Sequence, residues 1–140
     1  MRDRELTRVE EDLNTAHRIK DQVLAASDGR VSRIVFHGSR ANGRPRKSSD
    51  FDILIVVRDP VEDWVAESMK FTDLFNDFPW PVDVQVYGEA DYEASCTVPG
   101  TLAHPAFTRG LILYERESPR GAEIARSRLR GGGARRLGMG

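Results

Sequence analysis

Residues 51–57, FDILIVV, form an almost unbroken apolar run that follows directly on Asp50 and carries Asp52 as its one charged interruption. Seven residues are too few for a membrane span, and the β-branched content argues against a helix. A strand this uniformly apolar is soluble only if both of its faces are covered. The run therefore predicts a central strand in a sheet sandwiched by helices, and the rest of the chain has to supply the covers.

The flanking segments do so. From Asp3 to Ala26, Leu6, Val9, Leu13, Ala16, Ile19, Val23 and Leu24 recur at spacings of three and four, which predicts an amphipathic helix stopped at Ser27-Asp28-Gly29. Val31–His37 is strand-like, and the small, basic stretch 38–49 (GSRANGRPRKSS) reads as a loop with a short helical turn. Asp59-Pro60 is expected to open a helix with Pro at its first position, its face made by Val61, Trp64, Val65, Ser68, Met69, Phe71, Thr72 and Phe75 to about Asn76. Pro79-Trp80-Pro81 breaks the chain. Val82–Tyr87 alternates at period two, with Val82, Val84 and Val86 on one face and Asp83, Gln85 and Tyr87 on the other. A short helical piece over Glu89–Ser95, a turn at His104-Pro105 and a strand at Leu111–Tyr114 complete the order. This predicts an α+β (mixed α/β) domain with a central mixed sheet flanked by helices.

Composition sets the limits. A chain of 140 residues with 39% hydrophobic and 31% charged content suits one soluble domain. It has no membrane-length apolar stretch, and its charged start, Met1-Arg2-Asp3-Arg4-Glu5, lacks a secretory apolar region, so a cytoplasmic location is expected. Cys96 is the single cysteine, which excludes an internal disulfide. Charge is uneven: residues 119–140 hold six Arg and one Glu, a net of +5, leaving −6 over residues 1–118. The division expected is a domain over 1–118 and a disordered Arg/Gly-rich tail over 119–140, whose basic charge leaves nucleic acid open as a partner.

The chemistry gathers at the mouth of the apolar run. Asp50 and Asp52, at i and i+2 on a strand, leave the same face about 6–7 Å apart. Two like charges beside apolar surface are unfavourable until a cation neutralises them, and Mg²⁺ held by carboxylates and substrate phosphates is the common solution. Asp83 joins them if its strand pairs beside 51–57. Upstream, Gly38 permits close backbone approach, Ser39 offers an anion-binding turn, and Arg40, Arg44, Arg46 and Lys47 could balance a triphosphate. A lone Asp-x-Asp is more often a solvated strand end, and a lone Gly-Ser means little. Their joint order (strand, Gly-Ser, basic loop, acid pair, distant third acid) is the specific feature. It is the logic of phosphoryl or nucleotidyl transfer with two metal ions.

The run VFHGSRANGRPRKSSDFDILIVV resembles the signature of the nucleotidyltransferase superfamily that includes DNA polymerase β, and its GSRANG and SDFDILIVV forms look most like the minimal nucleotidyltransferases. The resemblance covers about Val31 to Tyr87, and more loosely Asp3 to Tyr114. It implies the nucleotidyltransferase fold, a two-ion Mg²⁺ site at Asp50, Asp52 and Asp83 with Asp83 as the base-like acid, and a nucleotide site at Gly38, Ser39, Arg40, Gly43 and Ser49. His37 and Asn42 depart from the usual residues without removing a metal ligand. The resemblance further implies ATP as donor and AMP as the transferred group. Minimal members look like antitoxins that adenylylate a tyrosine of a HEPN-fold ribonuclease toxin, and a short Arg/Gly tail is not expected to hold the acceptor in place of such a partner. Two other readings stand beside this one: an antitoxin or regulator acting by contact alone, and a nucleotidyltransferase for a small molecule. His17 is expected to be exposed, and Trp64, Phe71 and Phe75 to be core. Trp80 is expected in the core or a partner contact before a pocket wall, while Tyr87 and Tyr92 stay open between modification and partner contact.

Overall fold

The computed structural model describes residues 2–43, 50–116 and 135–136. Helix α1 (Arg2–Ala26) leads through Asp28 and Gly29, both at positive φ, into β1 (Val31–His37). A one-turn helix α2 (Gly38–Ala41) follows, then β2 (Phe51–Val57), α3 (Trp64–Thr72) with a 3₁₀ turn at Asp73–Phe75, β3 (Val82–Gly88), α4 (Glu89–Ser95), α5 (Ala103–Arg109) and β4 (Leu111–Glu115). A two-residue strand β5 (Arg135–Arg136) pairs in parallel with β4. The remainder of the expected tail over 119–140 lies outside the described residues.

The strands make one mixed sheet in the order β3-β2-β1-β4-β5. The central β1 is antiparallel to both neighbours, whereas β2 and β3 run parallel, as a strand–helix–strand crossover requires. The apolar run 51–57 is thus an interior strand. Its odd residues, Phe51, Ile53, Ile55 and Val57, join Ile34, Phe36 and the three valines of β3 under α1 and α3. Its even residues Leu54 and Val56 join Val35, Ile112, Tyr92, Ala106 and Phe107 under α4 and α5. Both faces are covered, as uniform hydrophobicity demands.

Three expectations need correction. The helix after β2 starts at Trp64, because Asp63 rather than Asp59 is its cap and accepts a hydrogen bond from the Ala66 amide at 3.0 Å. The buried face of α3 is then Ser68 and Phe71, continued by Phe75, while Trp64 and Met69 are 58% and 59% exposed. Trp64 is not core. His104-Pro105 is not a turn but the first turn of α5, where a proline lacks no needed donor. No described helix is long and apolar enough to cross a membrane.

Candidate functional site

Strand register builds the site. In the parallel β2–β3 pair Asp52 stands directly opposite Asp83, and in the antiparallel β1–β2 pair His37 stands opposite Asp52. Adjacent strands lie about 4.8 Å apart, so three polar side chains line one row across three strands. All project toward the α4/α5 side, since Asp52 shares its face with Leu54 and Val56, and Asp83 points away from Val82, Val84 and Val86. Asp50 sits just ahead of the strand, exposed to solvent.

Gly38 closes on this row. Its φ is +83°, and a Cβ there would overlap the Asp52 carboxylate, so only glycine allows the turn to lie against that acid. Burial, followed by the charges of Asp83 and Asp50, pushes the Asp52 carboxyl up to about 6. Ionisation of Asp52 is therefore costlier than that of a free carboxyl, a cost that a cation would relieve. Among the described residues no three His, Cys, Asp or Glu side chains gather as a ready-made metal cage. The Asp52–Asp83 pair does suit Mg²⁺, an ion that takes one or two carboxylates and fills its remaining positions with water and substrate phosphates.

A polar bridge spans the row. Gln85 Nε2 donates to Asp83 Oδ2 at 2.6 Å, and Gln85 Oε1 lies 3.2 Å from His37 Nε2. A carboxylate only accepts, so the amide must turn Nε2 to Asp83, and the His37 proton then sits on Nε2. Burial lowers the His37 pKa, opposed by the Gln85 hydrogen bond and by Asp83. Neither residue was singled out from sequence in this role. The parity that Gln85 shares with Asp83 was the available signal.

On the β1 side a cleft of about 430 Å³ is lined by His37, Gly38, Ser39, Asn42, Pro105 and Arg109. Arg109, at the end of α5, makes no ion pair among the described residues, and it is absent from the sequence expectations because no helix is expected there, only a turn at His104-Pro105. On the β3 side a second groove of about 300 Å³ runs from Gln85 past Val61, Trp64, Tyr87 and Leu102.

Ser39 lines the cleft beside His37 and Gly38. Gly43 ends the α2 turn at φ +73°, its amide hydrogen-bonded to the Arg40 carbonyl at 3.3 Å. Ser49, Arg44, Arg46 and Lys47 lie outside the described residues. Arg40 is placed differently from its phosphate-facing expectation. It is 6% exposed, ion-paired to Asp12 at 3.1 Å, with its guanidinium over the ring of Phe51 on the α1 side of the sheet. That is the face opposite Asp52. Trp80 packs at 5.9 Å from Phe51, and Tyr92 is buried in the α4/α5 core, which removes it as an exposed partner contact.

Comparison with known proteins agrees with this fold. A family model described as "Nucleotidyltransferase domain" matches residues 17–97, more than half of the chain. No curated protein matches the chain. A solved chain described as "Crystal structure of the toxin-antitoxin with AMP-PNP" shares its fold, with a TM-score of 0.58 and 17% identity over 82% of this chain and 85% of that one.

Proposed function

Because the chain belongs to the nucleotidyltransferase-domain family, we propose that it transfers AMP from ATP to a hydroxyl acceptor in the cytoplasm, with Asp50, Asp52 and Asp83 as its acidic site. The observation carrying this reading is the parallel register that sets Asp52 beside Asp83, with Gly38 closed against the first acid. Asp83, on the strand farther from Gly38, receives the acceptor's proton, and Asp52 and Asp50 hold the metal. Mg²⁺, when bound, neutralises the carboxylates and polarises the transferred phosphate. Gly38 lets the nucleotide approach the backbone, Ser39 hydrogen-bonds its phosphates, and Arg109 offers the cation that Arg40, turned to the other face, does not. The hydroxyl oxygen bonds to the α-phosphorus, the bond to the bridging oxygen breaks, and pyrophosphate leaves.

For the acceptor we favour a tyrosine of a HEPN-type ribonuclease toxin. The GSRANG and SDFDILIVV forms support it, as does the similarity to a chain solved as a toxin–antitoxin with AMP-PNP. The test is to incubate the full chain with a HEPN-fold toxin, ATP and Mg²⁺ and to weigh both proteins by intact-mass spectrometry. Stepwise addition of AMP to the toxin, lost in Asp52→Asn, is the expected result. A tight complex with no mass change, equally strong in the variant, would overturn transfer in favour of neutralisation by contact.

A further inference from the structure

Arg40 occupies a position that neither a phosphate ligand nor an ordinary surface ion pair explains. Its guanidinium lies 4.5 Å from the centroid of Phe51 and 5.6 Å from that of Trp80, while Nη1 holds Asp12 Oδ1 at 3.1 Å. Both side chains of the ion pair are nearly sealed, at 6% and 9% exposure. Asp12 Oδ2 is buried without a hydrogen-bond partner among the described residues. A buried pair with an orphan oxygen is a poor stabiliser, because desolvation offsets its attraction. What it does offer is placement, since a planar cation can stack on two rings and fork toward a carboxylate at once.

The groups it touches adjoin the mouths of β2 and β3, and Arg40 itself belongs to the Gly-Ser turn. Arg40 follows Ser39. Phe51 stands between Asp50 and Asp52. Trp80 leads into Pro81, whose carbonyl accepts the Phe51 amide at 2.9 Å, and so into Asp83. Asp12 ties all three to α1. We infer that Arg40 is a positioning residue: from the far face of the sheet it clamps the Gly38-Ser39 turn to the mouths of β2 and β3, fixing the turn against the acid pair. The ligand this turn receives rests on the function proposed above; the clamp itself does not.

The double variant Asp12→Leu/Arg40→Met keeps the volume apolar and should melt at or above the wild-type temperature. Its Asn42 and Gly43 amides, which close α2 on the Gly38 and Arg40 carbonyls at 3.1 and 3.3 Å, should exchange about ten-fold faster or more, with β1 and β2 exchange unchanged. Binding of Mg²⁺·AMP-PNP, followed by calorimetry, should weaken by roughly 10-fold or more, about 1.4 kcal/mol per ten-fold. Arg40→Lys, which keeps the charge and loses the flat face, should fall between and decides the matter if the double variant does not fold. Wild-type exchange at Asn42 and Gly43 in whichever variant folds overturns the clamp. If the wild-type chain binds no Mg²⁺·AMP-PNP, the proposed function falls, while the exchange rates still judge the clamp.

Discussion

Phe51 and Asp52 are consecutive residues of one strand, and they sit in opposite environments. Phe51 faces a closed side, stacked on Phe36 at 5.8 Å and covered by the Arg40 guanidinium. Asp52 faces an open mouth shared with Asp83, His37 and Gln85. Both faces of the strand are covered along its length, and only at its mouth does the Asp52 side open into a polar, half-buried position. The difference shows where rigidity and reactivity are separated: across the thickness of the sheet, by the period-two alternation of a strand.

The sharpest way to break this contrast is Asp52→Asn. Under the proposed function it lowers AMP transfer by roughly a thousand-fold or more, the several kcal/mol a metal ligand supplies. It should also raise the melting temperature at pH 7.5 without metal, because a half-buried charge disappears. Loss of activity with loss of stability would count against the assignment. On the closed face, Ile53→Ala empties a fully buried site and should cost about 2–5 kcal/mol in chemical denaturation. Gly38→Ala, strained at φ +83° and pressed on Asp52, should cost about 2 kcal/mol or more and weaken Mg²⁺ binding as well.

A smaller effect follows from the Asp52 carboxyl at about 6. Its pKa is raised on folding, so the proton-bound form contributes stability that is fully present below the ordinary value of 3.8 and is lost as pH rises through about 6. The melting difference between Asp52→Asn and wild type should therefore widen across that interval, by roughly 1 kcal/mol once solvent screening is allowed for. Mg²⁺ affinity should climb over the same range. A flat difference would show that the carboxyl is not held up by its surroundings. Least of all, Trp64→Ser on the exposed start of α3 should alter stability by less than about 0.5 kcal/mol.

Much of this was legible in the sequence because the strongest signals are local. The run 51–57 and the alternation of Val82–Tyr87 gave their strands correctly, and the shared parity of Asp83 and the other outward residues placed the third acid on the right face. Helix α3 was misplaced at its start because Asp59-Pro60 and Asp63 are equally good local caps, and only packing against β3 chooses between them. Helix α5 was missed because Ala103–Arg109 has a weak apolar period and an internal proline. Its loss hid Arg109. The turn of Arg40 to the closed face was not readable either, because it depends on Asp12, 28 residues upstream. A basic residue after Gly-Ser looks like a phosphate ligand until its partner is known.

The parallel pairing of β2 with β3 has a consequence in time. Asp52 and Asp83 are 31 positions apart in the chain and meet only when the crossover through α3 has closed. Contacts of that separation form late, after local turns and hairpins. A partly folded chain would therefore own the Gly-Ser turn and the first two acids yet have no base to use with them. Under the proposed function, the capacity for transfer therefore depends on that crossover having closed.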